Sequence, residues 1–90
     1  MRGAIAHQLE CFAVIARIEA QFVSSAKLFG AAEALREAAN MPRALYERAN
    51  YERETAALCE QMPPDALEAA WAVGRALTME QAVDLALQET

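Results

Sequence analysis

The chain has 90 residues, and eight Lys and Arg against thirteen Asp and Glu leave a formal charge of −5 at pH 7. A nucleic-acid-binding face must neutralise phosphates, and Arg36, Arg43, Arg48 and Arg53 are interleaved with Glu37, Glu47, Glu52 and Glu54, so direct nucleic-acid binding is excluded. Hydrophobic residues make up 56% of the chain, too many for a disordered tail, while charges recur too often for an apolar run of about 18 residues to cross a membrane.

Glu10 interrupts the opening stretch before a signal-peptide core can form, and a cytoplasmic location is expected. Roughly a quarter of the residues are alanine, the strongest helix former but a poor core filler, so a core of this size is marginal and a neighbour is expected. Cys11 and Cys59 lie far apart with no CxxC partner, which predicts two free, buried thiols.

β-Branched residues never alternate with polar ones for more than a few positions, and no Asn-Gly or Asp-Gly turn occurs, so helices are the only regular option. Breaks at Ser24-Ser25, Asn40-Met41-Pro42, Pro63-Pro64-Asp65 and Gly74 predict five helices over about 4–21, 24–39, 43–61, 64–73 and 78–88. At 100° per residue the first helix carries two apolar stripes. One is Ile5, Leu9, Phe12, Ala13, Ala16 and Ala20; the other is Cys11, Val14, Ile15, Ile18 and Phe22. A helix greasy on opposite sides is expected to have two neighbours.

The second helix shows a single stripe, Leu28, Ala31, Ala32, Leu35, Ala38 and Ala39, with Phe29 at its edge and Lys27, Glu33 and Glu37 opposite. The short connection predicts an antiparallel hairpin with the first. In the third, Ala49, Ala56 and Cys59 run beside Tyr51, Thr55, Leu58 and Met62, and Arg43/Glu47 and Arg48/Glu52 stand at i,i+4. Pro64 suits the first turn of the fourth helix, Ala66, Leu67, Ala70 and Trp71 its inner face, and Gly74 a left-handed C-terminal cap. Thr78-Met79-Glu80-Gln81 fits a capping box, after which Met79, Ala82, Val83 and Ala86 face inward.

Little in the sequence points to catalysis. His7 is the one histidine and projects beside the second stripe of the first helix, where it reads as a satisfied or solvent-exposed imidazole. Ser24 and Ser25 read as helix caps, the carboxylates as solvated faces, and no phosphate loop, EF-hand or His/Cys metal cluster is present. No catalytic residue, cofactor or metal is assigned.

The stretch Ala26-Lys27-Leu28-Phe29-Gly30-Ala31-Ala32-Glu33-Ala34-Leu35-Arg36-Glu37 resembles the helical tail of bacterial signal-transduction ATPases and LuxR-type transcriptional regulators. The similarity continues in register through Pro42, Glu47-Arg48, Tyr51-Glu52 and Leu58 to Ala70-Trp71 and Gly74-Arg75-Ala76-Leu77-Thr78-Met79-Glu80-Gln81-Ala82. It covers about residues 20–88, and the L-x-G-A-A-E-A-L-R-E and W-x-x-G-R-A-L-T-x-E-x-A pieces are specific in combination. Asn40 stands where that family tends to have Gly, and Leu45-Tyr46 replaces a proline-rich stretch. The resemblance implies an all-α domain over residues 1–90, with a tetratricopeptide-like hairpin (1–40) and a three-helix C-terminal cap (41–90).

The expected function is a non-catalytic protein-interaction module, with partners being a second copy in a homodimer or preceding helical repeats of a longer chain. Cys11, Val14, Ile15, Ile18 and Phe22 are the candidate interaction surface. The alternatives are a stand-alone dimeric structural protein and a ligand-sensing domain with a pocket between hairpin and cap near Phe29, Tyr51 and Trp71.

Overall fold

The computed structural model describes residues 2–40 and 45–88, with side chains over 5–40 and 47–88. It is all-α: α1 (Arg2–Ile18), α2 (Phe22–Ala39), α3 (Leu45–Gln61), α4 (Pro64–Arg75) and α5 (Met79–Gln88). Among the described residues there is no strand, and no helix is long and apolar enough to cross a membrane. The predicted break at Met41-Pro42 and the Arg43/Glu47 pair fall on or across residues 41–44, outside the described residues.

α1 and α2 form an antiparallel hairpin whose turn differs from the expected one. α1 stops at Ile18 because Ala20 enters the left-handed region at φ 64. The Ala20 amide then donates to Arg17 O and the Gln21 amide to Ala16 O, which is the bond pattern of a Schellman cap. Phe22 therefore begins α2 instead of extending a stripe on α1. Ser25 does not cap a helix; it is buried, and its hydroxyl donates to the Ala13 carbonyl at 2.7 Å, binding the two hairpin arms.

The helix held from two sides is α2, not α1. Ser25, Ala26, Leu28, Phe29, Gly30, Ala31, Ala32 and Arg36 are all buried, and these positions are distributed around most of the α2 circumference. Of the predicted single stripe, Ala38 is exposed. α1 covers one side of α2 with Ala6, Leu9, Ala13 and Ala16, and α4 covers the other. α5 closes the core against α1 and α2 with Ala82 and Ala86 buried, while Met79, expected inside, is exposed.

The α2–α4 approach is set by two glycines. A Cβ on Gly30 would strike the Trp71 carbonyl oxygen, and one on Gly74 would strike the Lys27 carbonyl, with Lys27 Cα at 2.7 Å. Gly74 is thus a packing residue within α4 and does not form the left-handed cap expected of it; no described glycine has positive φ. Around this approach, Leu67, Ala70 and Trp71 make the inner face of α4, and Ala66 is exposed.

Local signals elsewhere hold. Pro64 occupies the first turn of α4, and Asn40 closes α2 in the left-handed conformation at φ 53. Thr78 and Gln81 make both bonds of the capping box: the Gln81 amide donates to Thr78 Oγ1 at 3.1 Å, and the Thr78 amide donates to Gln81 Oε1 at 2.9 Å. α3 buries Leu58, and Met62 beyond its end, but leaves Ala49, Ala56 and Cys59 exposed. Both thiols are free, and both are exposed instead of buried, because each borders an open cleft between helices rather than the packed core.

Two substitutions separate propensity from packing. On an exposed helix Gly→Ala stabilises by about 1 kcal/mol, but at Gly74 the new methyl meets backbone that cannot rotate away. Gly74→Ala is expected to destabilise by about 1–3 kcal/mol, read as a lower midpoint in urea unfolding. Ala20→Gly is expected to do the opposite. It relieves a left-handed alanine costing about 1–2 kcal/mol at a backbone-entropy cost of about 0.5–1 kcal/mol, so the same titration is expected to show a higher midpoint.

Candidate functional site

Two ion-paired arginines place the surfaces that remain open. Arg36 is buried on α2 and grips Glu10 of α1 with both arms, Nε to Oε2 at 2.9 Å and one terminal nitrogen to Oε1 at 3.0 Å. Hydrogen bonding to Glu10 raises its pKa above the ordinary guanidinium value, against the opposing effect of burial. Arg17, near the end of α1, reaches α3, donating from Nε at 3.1 Å and from a terminal nitrogen at 2.6 Å to the same oxygen, Oε2 of Glu54. α3 is thereby tied to the hairpin.

Between α1 and α3 these ties frame a cleft of about 260 Å3. Its α1 wall is His7, Glu10, Cys11 and Val14, and its α3 wall is Glu47, Asn50, Tyr51 and Glu54. Each wall is an i, i+3, i+4, i+7 stripe, the spacing with which one helix presents a single face. Phe29 of α2 is the floor, 1% exposed. At the rim, Cys11 Sγ lies 3.7 Å from His7 Nε2 one turn away.

The aromatic residues anticipated as a pocket meet one another. Phe29 stacks on Trp71 at 5.9 Å between ring centres with planes 9° apart, and Tyr51 meets Phe29 edge-on at 5.8 Å. The three form a wall rather than a shared cavity. Phe29 and Tyr51 face the α1–α3 cleft, while Trp71 lines a shallower groove between α3 and α4 with Cys59, Leu67 and Arg75.

The candidate interaction stripe is likewise divided. Cys11 and Val14 line the cleft, Phe22 packs against the core from α2, and Ile15 and Ile18 project outward, 45% and 69% exposed. Val23, 52% exposed on the first turn of α2, joins them at the same end of the hairpin. Val23 was not singled out in the sequence, because its exposure follows from a helix start two residues earlier than the serines suggest.

A further feature unseen in the sequence is a clamp across α2 and α4. Glu33 Oε1 accepts from Trp71 Nε1 at 3.1 Å and from Arg75 at 2.5 Å, and Arg75 also donates to both oxygens of Glu37 at 2.7 and 3.1 Å. The signal was there: Glu33/Glu37 and Trp71/Arg75 are both i,i+4 pairs, but helix-face carboxylates read as solvated until their partner helix is known. Among the described residues no group of three His, Cys, Asp or Glu is arranged to hold a metal ion.

The Arg36–Glu10 and Arg75–Glu37 pairs differ in their expected cost. Glu10→Gln leaves a buried guanidinium without its charge partner and is expected to lower the unfolding free energy by about 1.5–3 kcal/mol at pH 7. Glu37 is exposed, and its hydrogen bond from Arg75 holds its pKa below the ordinary 4.5. That pair therefore contributes above the ordinary value and is lost as pH falls through the depressed folded one. Glu37→Gln is expected to change neutral-pH stability little and to flatten the acid limb of a stability-against-pH profile followed by circular dichroism. A scan against protein-family models, a search of the curated proteins and a search of the solved structures each give no match to this chain.

Proposed function

We propose that this chain is a non-catalytic helical protein-interaction module of the cytoplasm, akin to the C-terminal repeat segment of a bacterial signal-transduction ATPase or LuxR-type transcriptional regulator. The observation that carries the reading is the end of the hairpin, where Ile15, Ile18 and Val23 present three large aliphatic side chains to solvent on two consecutive helices. Burying such side chains is worth about 1.5–3 kcal/mol each, enough for a small patch to hold a partner helix.

The resemblance supplies the second support. Its two specific pieces are the ones that pack together: Gly30, Glu33 and Glu37 of the first meet Trp71 and Arg75 of the second. They read as one structural unit whose open end is the α1–α2 turn. A terminal hairpin of a helical array would place the preceding hairpin at such a surface, and in the isolated chain a second copy takes that place.

Sedimentation velocity at tens of micromolar tests this. The wild-type chain is expected to associate, and Ile18→Glu, at an exposed site outside the core, is expected to weaken association at least about tenfold, the cost of placing one charge in an apolar contact. A wild-type chain that stays monomeric throughout, or an Ile18→Glu variant that associates equally well, would contradict the reading.

A further inference from the structure

We propose that His7 and Cys11 form a two-residue chelate for a thiophilic divalent cation, zinc, at the rim of the α1–α3 cleft. The site is separate from the Ile15, Ile18 and Val23 patch and does not rest on the interaction reading.

Spacing comes first. Helical residues four apart share a face, and two ligands at i,i+4 are how one helix grips zinc in the H-E-x-x-H pattern. Here the pair is one imidazole and one thiol, with Cys11 Sγ 3.7 Å from His7 Nε2. Zinc takes thiolate sulfur at about 2.3 Å and imidazole nitrogen at about 2.0–2.1 Å, so two such ligands at the tetrahedral angle lie about 3.6 Å apart. The two donor atoms thus already stand at the separation the ion requires, on a regular helix that sets their spacing before it arrives.

The donor types select the class of ion. Thiolate with imidazole favours zinc and its heavier congener cadmium over magnesium and calcium, which take oxygen. Both residues are exposed, so an ion reaches them without opening the core. Binding forms one coordinate bond from the thiolate and one from the Nε2 lone pair; the thiol proton leaves to solvent, and no electron is transferred. Among the described residues no third His, Cys, Asp or Glu joins the pair. The remaining positions of the tetrahedron fall to water or a small donor molecule, and because both ligands line the cleft, a molecule entering it can reach the ion. Cys59 is the internal contrast. It is equally free and exposed, but it lies in the α3–α4 groove beside Thr55, Leu67 and Trp71, in a chain whose one histidine is His7.

The test titrates the full, freshly reduced chain with Cd2+, reading the sulfur-to-cadmium charge-transfer band in the ultraviolet and the amide shifts of 15N-labelled protein. The band is expected to saturate at one ion per chain, with shifts centred on α1 around His7 and Cys11. Zn2+ is expected to displace the cadmium, and excess Mg2+ is not. Cys11→Ser is expected to abolish the saturable band, and Cys59→Ser to leave it. His7→Ala, at an exposed position, is expected to weaken binding at least about tenfold, through the loss of one of two ligands. Ile18→Glu is expected to leave binding unchanged, whatever it does to association. The proposal is overturned if no band saturates at one ion per chain, if His7→Ala binds as tightly as the wild type, if Cys59→Ser lowers the band as much as Cys11→Ser, or if Ile18→Glu abolishes it.

Discussion

Helix α2 and helix α4 meet backbone to backbone, and two missing side chains make this possible. Gly30 lies against the Trp71 carbonyl and Gly74 against the Lys27 backbone, so the two axes come closer than any side-chain-bearing pair could. With that distance fixed, Phe29 can stack on Trp71, and Glu33 and Glu37 can reach Trp71 and Arg75. The small residues of α2 then become core rather than surface. An alanine-rich chain of this length has few bulky side chains to fill space with, and close approach substitutes for bulk.

Because α2 is covered by α1 and α4 together, the other helices are left with faces to spare. α1 commits one side to α2 and its opening turns to α5, which frees Ile15 and Ile18. α3 is attached through Leu58, Met62, Tyr51 and the Arg17–Glu54 pair, leaving an opening above Phe29 where two helices face each other without packing. A central helix around which the core is gathered thus generates both an apolar end and an acidic cleft.

Much of this fold is legible in the sequence, but unevenly. Helix number, the hairpin, the Pro64 start, the Asn40 cap and the Thr78/Gln81 box follow from short-range chemistry, which composition and spacing encode directly. Tertiary roles were harder to read. Gly74 has the residue type of a C-cap, and only the proximity of Lys27 reveals it as a contact point. Ser24-Ser25 has the type of a helix start, yet Ala20, an unfavoured residue for a left-handed turn, ends α1 first. Periodicity identified two apolar sides on α1 and one on α2, whereas the structure gives α2 the two neighbours. Alanine and glycine carry too little hydrophobic signal to mark a face, even where, as at Ala26, Gly30, Ala31 and Ala32, they are buried. The cleft combines a named pair, Phe29 and Tyr51, with carboxylates that sequence spacing alone assigns to solvent.

The claim that the core is organised around α2 is tested most directly by native-state amide hydrogen exchange. The amides of α2 from about Leu28 to Arg36, with those of α4 near Ala70–Gly74, are expected to exchange only through global unfolding, while α3 and the outer turns of α1 exchange through smaller openings. If α1 or α3 proves the most protected helix and α2 exchanges by local fraying, the arrangement described above is wrong at its centre.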